Sequence, residues 1–154
     1  MPKAYRFPLE GLLRLRQRRE DSAEQEMRIK EAAMREAEAQ LALVLEQRAQ
    51  SLHEAARRRE GILDLESILQ EHGWGQNLDQ REEAARSSLQ QAETTAAHAR
   101  EEWLDARRQR EMVERLKSKQ QLAWLKGIEL AEQRLLDELA TQSHARRGKD
   151  TLGL

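Results

Sequence analysis

Cysteine is absent from the 154 residues. No disulfide and no thiolate metal site can therefore hold the chain together, and nothing calls for an oxidising compartment. Proline occurs twice, at Pro2 and Pro8, so the rest of the chain is free of the strongest helix breaker. Aromatic residues make up 3%, too few for the core of a compact domain of this length. Net charge is nearly absent as well, with 27 basic residues against 28 acidic. That balance excludes strong overall attraction to nucleic acid or an anionic membrane. Long apolar runs are also missing. The longest, Leu41-Ala42-Leu43-Val44-Leu45, is far too short to span a bilayer, so no direct membrane insertion is expected. The opening Met1-Pro2-Lys3-Ala4-Tyr5-Arg6-Phe7-Pro8 lacks the apolar centre of a secretory signal. A cytoplasmic protein is the expectation, with peripheral work at a membrane-bound machine still permitted.

What remains is rich in Ala, Glu, Arg, Gln and Leu, with 36% charged residues. These side chains lose little freedom in a helix. The stretch Glu71-His72-Gly73-Trp74-Gly75-Gln76-Asn77 stands out near the middle. Its glycines can end a helix, and Asn77 with Gln80 can cap the next one. The spacing predicts one all-α domain over 1–154: a long antiparallel two-helix coiled coil, or helical hairpin. Helix one is expected over about 9–71, a turn over 72–76, helix two over about 77–142 and a flexible tail over 143–154. A parallel dimer through either helix is the other arrangement compatible with the pattern.

Apolar periodicity supports long helices. Met27, Met34, Leu41, Arg48, Ala55, Ile62 and Leu69 recur at sevens, accompanied by Ala23, Lys30, Ala37 and Val44. Steps of four and three place them on one stripe, as in a coiled-coil seam. Arg48 interrupts it, and its aliphatic stem is expected to cover the seam while its charge reaches water. A second stripe runs through Leu78, Ala85, Ala92, Ala99, Ala106 and Val113, with Leu89, Ala96 and Trp103. Beyond Val113 the order loosens through Leu116, Gln120, Trp124, Ile128, Leu135 and Leu139, so a bend or slipped register is expected there. Folding at Trp74 would set Trp103 beside Leu45 and Val113 beside Met34 or Arg35.

No constellation suggests chemistry, and the chain is read as non-enzymatic, without cofactor or metal. His53, His72, His98 and His144 lack ligand spacing. A slim helical pair offers no pocket to separate the pKa values of two carboxylates. Charge placement says more. Residues 1–19 hold Lys3, Arg6, Arg14, Arg16, Arg18 and Arg19 against Glu10 alone. A hairpin would return Arg146, Arg147 and Lys149 beside them. The bland reading is a solvated terminus; the functional one is a plug for an acidic pore or groove. A basic zipper is disfavoured, because Leu9, Leu12, Leu13 and Leu15 interrupt the basic run, and no nucleic-acid partner is expected. Trp74 would sit at the tip with few neighbours, a position suited to partner contact.

The run Phe7-Pro8-Leu9-Glu10-Gly11-Leu12-Leu13-Arg14-Leu15-Arg16, followed by Arg19-Glu20, resembles the flagellar export protein FliJ family. So do Glu114-Arg115-Leu116-Lys117 and Leu136-Asp137-Glu138-Leu139-Ala140. The resemblance implies a coiled-coil stalk of the flagellar type III export apparatus, similar to the central shaft of rotary ATPases. Its partners would be the hexameric flagellar export ATPase, the cytoplasmic domain of the membrane export gate, and export substrate chaperones. Its place would be cytoplasmic, peripheral to the inner membrane. The equivalent stalk of a virulence-type secretion system and a passive coiled-coil tether are the alternatives. With the basic end, the resemblance places ATPase contact on Phe7, Leu12, Arg14, Arg16, Arg18, Trp124, Leu139 and Arg146. Matched residue by residue, it places gate contact on Gln40, Val44, Gln47, Ser51, Trp74, Leu78, Arg81 and Ala85. Gln47 and Ser51 stand where that surface carries aromatics, which throws weight onto Trp74 and Leu78.

Overall fold

The computed structural model describes residues 3–61 and 64–152, apart from the side chains of 151 and 152. Two long helices make up almost all of it: α1 over Glu10–Arg58, 49 residues, and α2 over Leu65–Leu152, 88 residues. No strand occurs among the described residues. The fold is the expected all-α antiparallel hairpin.

The turn, however, lies at 59–64 and not at 72–76. α1 closes with backbone bonds that tighten from Arg59 N–H to Ala55 O, to Glu60 N–H on Arg57 O and Gly61 N–H on Arg58 O. Arg57 and Arg58 in the last turn face the negative end of the helix dipole. Asp64 then caps α2: its Oδ1 accepts the Glu66 N–H at 3.3 Å and its carbonyl accepts the Ile68 N–H at 3.1 Å. Gly73 and Gly75 lie inside α2, and no glycine among the described residues has positive φ. A glycine inside a helix costs about 1 kcal/mol relative to alanine, which packing of the long flanking helix can absorb. Ile62, named in the first stripe, lies outside the described residues. The expected tail is also helical, since α2 runs on through the Ala145-Arg146-Arg147 segment. Basic side chains at a helix C-terminus suit the dipole.

The residues group into two compact units, 19–106 and 1–18 with 107–154. In the first, the two predicted stripes form the seam, except that Leu69, expected at the end of the first, falls on α2 and is exposed. Met27, Met34, Leu41, Val44, Ser51 and Ala55 on α1 are buried or half-buried, as are Leu78, Ala85, Leu89, Ala92, Ala96, Ala99, Trp103 and Ala106 on α2. The pairing phase differs from the expectation. Arg48 reaches Asp79 at 2.9 Å and also Glu82, and Arg58 reaches Glu71 at 3.4 Å. A fold at Trp74 would have set Arg48 beside Arg100. Leu45 is exposed, outside the seam that holds Trp103. The difference is a slide of about three heptads, which keeps every apolar stripe facing inward.

In the other unit, Phe7, Leu13 and Val113 form a buried cluster with Tyr5 and Leu12 packed against it. Val113 thus meets Phe7 and Leu13, not Met34. Lys117 pairs with Glu10 at 3.0 Å, and Arg16 bonds Gln109. Pro8 presets the turn that carries the Glu10 N–H onto Phe7 O at 3.2 Å before α1 begins. α2 continues unbroken beyond Val113, where a bend or slipped register was expected. Lys117, Gln120 and Trp124 extend the steps of three and four.

Candidate interaction surfaces

The first surface lies on the unit made of residues 1–18 and 107–154. That unit holds 16 basic residues against 8 acidic, a formal +8, while residues 19–106 hold 11 against 20, a formal −9. A chain of net charge near zero is therefore two oppositely charged parts. Arg14 and Arg18 are exposed, as are Arg108, Arg115 and Lys119 of α2. The segment that returns beside residues 3–18 is 107–124, so Arg146, Arg147 and Lys149 do not gather there. Arg146 stands on α2 22 residues past Trp124, about 33 Å along the helix.

Of the residues assigned to ATPase contact, Phe7 is buried and Leu12 half-buried in the apolar cluster. Arg16 is half-buried on Gln109, so it serves pairing first. Trp124 stacks on Tyr5 with ring centroids 5.6 Å apart. Tyr5 also donates its hydroxyl proton to Gln120 Oε1 at 3.5 Å. Leu139 is 54% exposed and Arg146 exposed. Every residue from Glu129 to Asp150 is exposed, including Leu130, Leu135 and Leu136. The Phe7–Trp124 neighbourhood is thus one locus, and Leu139 and Arg146 belong to a separate, uncovered length of α2.

The second surface lies within residues 19–106. The turn at 59–64 brings the two stretches assigned to gate contact together from opposite helices. Ser51 and Trp74 line one groove of ≈ 200 Å³ with Glu54, Ala55, Arg58, Gln70 and Glu71. Trp74 is 46% exposed there, on the flank of paired helices and not at a tip. Gln40 and Arg81 are exposed, and Gln47, Ser51 and Ala85 half-buried. Val44 is buried, and Leu78 at 1% is the most enclosed side chain. Those two hold the helices together, while Trp74, Gln40 and Arg81 are exposed and Ser51 half-buried.

Within residues 19–106 the seam also carries a polar layer at Arg48. Arg48 does not simply reach water, as expected of its stem and charge: its guanidinium donates to Glu82 and pairs with Asp79 at 2.9 Å, and Arg86 donates to Glu82 at 2.9 Å. The hydrogen bond from Arg86 holds the Glu82 carboxyl below its ordinary range, and the Arg48 bond and charge add to this against the opposing pull of desolvation.

A second groove, ≈ 350 Å³, is lined by Leu52, Arg59, Ile68, His72 and Gly75 among others. It was not read from the sequence, because a turn at Trp74 would have put Leu52 and Ile68 on the same helix. The exposed apolar residues Leu52, Leu65, Ile68 and Leu69 close to Gly61 were the available signal. Among the described residues, no group of His, Asp or Glu is arranged to hold a metal ion. None of the described helices is long and apolar enough to cross a membrane.

A family model described as "Flagellar FliJ protein" matches residues 5–149. No curated protein and no solved structure matches the chain.

Proposed function

Because the chain belongs to the flagellar FliJ family across nearly its whole length, and so is a component of flagellar protein export, we propose that it is a non-enzymatic coiled-coil stalk joining two partners. The basic unit is held by the hexameric export ATPase, through Arg14, Arg18 and the neighbouring arginines of α2. The Trp74 flank docks on the cytoplasmic domain of the membrane export gate. Working at that gate places the protein on the cytoplasmic face of the inner membrane without insertion. Export substrate chaperones are further partners of the same shaft.

The observation that carries this reading is the convergence of Ser51 with Trp74 from two helices. Residues far apart in sequence form one accessible face only because the chain turns at 59–64. A half-exposed tryptophan rimmed by polar side chains is the composition of an interface anchor. The charge separation supports two partners of different character, since a +8 unit is steered toward an acidic surface and a −9 unit is repelled by it.

Isothermal titration of Trp74→Ala against the isolated gate domain and against the ATPase tests both contacts together. Gate affinity is expected to fall by about 2 kcal/mol with ATPase affinity unchanged. Arg14→Glu with Arg18→Glu is expected to do the reverse, most strongly at low salt. Retained gate affinity in Trp74→Ala would remove the anchor. A chain that binds neither partner would be a passive tether.

A further inference from the structure

The geometry points to a second hairpin encoded in the same chain, with its turn at Gly73-Trp74-Gly75, and to Arg48 as the positioning residue that selects the turn at 59–64 instead. This holds whichever partners the protein binds. Both stripes repeat every seven residues, so a slide of whole heptads leaves apolar side chains facing apolar side chains. The run of Ala85, Ala92, Ala96, Ala99 and Ala106 on α2 is tolerant of such slides, because small residues of one size offer no shape to fit. A slide of about three heptads moves the turn to a sequence already equipped for it. There Gly73 and Gly75 leave a helix interior, Asn77 becomes a cap, and Gly61 enters a helix in exchange. The local preferences at the two turns therefore nearly balance.

The charged positions do not balance. In the observed hairpin Arg48 sits between Asp79 and Glu82, which Arg86 also holds. Arg58 meets Glu71 besides. In the slid hairpin Arg48 would stand opposite Arg100 and Glu82 opposite Glu66, like charge on like charge at both places. Polar residues at seam positions specify register in this way, at some cost in stability. The consequence for the surface is large. The selected register puts Trp74 on the flank beside Ser51; the other would carry Trp74 to the tip, away from it.

The test uses the double variant Arg48→Ala with Glu82→Ala, which removes the charged layer and leaves a seam of alanine. The absence of native cysteine allows spin labels at Glu66→Cys and Glu83→Cys alone. In the observed fold both lie on α2, 17 residues and about 26 Å apart. In the other hairpin they face each other across the seam at about 10 Å. Pulsed electron-spin distance measurements on protein diluted with unlabelled chain should give one long distance for the parent sequence. The double variant should show the short distance in roughly a tenth of molecules or more, with helicity retained; a tenth corresponds to an equilibrium shift of the size polar register contacts supply. Arg48→Gln with Glu82→Gln is measured in the same way and serves should the alanine pair lose helicity. A single long distance in a helical variant overturns the proposal. So does a short distance that vanishes on dilution, since that signal comes from two chains.

Discussion

Leu78→Ala separates the seam from the surface. Leu78 is the most enclosed side chain, at 1% exposure, and sits four residues beyond Trp74 on the same helix. The substitution removes three carbons from a buried place, about 0.8 kcal/mol each by transfer. A residual cavity adds to this, although a seam only two helices thick can close inward, and alanine returns a few tenths through helix propensity. The net expectation is about 2–3 kcal/mol. With a urea dependence of about 1–3 kcal/mol per molar, the midpoint should fall by roughly 0.7–3 M. Urea titration followed by far-ultraviolet circular dichroism reads it directly, with Trp74→Ala as the comparison. Trp74 is 46% exposed, so its loss should cost less than about 1 kcal/mol of stability. A Leu78→Ala cost below about 1 kcal/mol, or a larger cost for Trp74→Ala, would refute the seam assignment and return Leu78 to the docking surface.

Asp64→Ala removes the side-chain acceptor for the Glu66 N–H and should destabilise by about 1 kcal/mol, read as faster amide exchange in the first turn of α2. Glu82 titrates below its ordinary 4.5 in the folded chain. Its contribution is therefore complete above that value and disappears as pH falls through the lowered one; Glu82→Gln should flatten stability against pH in that acid window. Tyr5→Ala removes both the Trp124 stacking and the Gln120 bond and should shift tryptophan emission to the red without changing gate affinity. Truncation after Thr141 deletes, among the described residues, exposed helix only, so stability should hold within about 0.5 kcal/mol, while ATPase affinity should fall if Arg146 belongs to that contact.

That the chain is helical, and which side chains face inward, could be read from the order of residues. From Met27 to Ala55 and from Leu78 to Val113, the steps of three and four named the seam residues almost one by one, because a helix has a fixed angle per residue and burial follows it. The family was legible too, in Phe7 to Arg16 and in Leu136 to Ala140. Tertiary structure alone decided which residues meet. A heptad stripe matches its partner equally well after any slide of seven, so apolar spacing carries no information about phase. That information lies in pairs no local rule reveals: Arg48 with Glu82 and Asp79, Glu10 with Lys117, Phe7 with Val113. Turn propensity pointed to Gly73 and Gly75, which offered two glycines against the one at Gly61. A glycine's cost of about 1 kcal/mol is small beside cross-helix contacts summed along the seam. The turn went where those contacts put it, and with it went Trp74, from the tip of a hairpin to the flank beside Ser51.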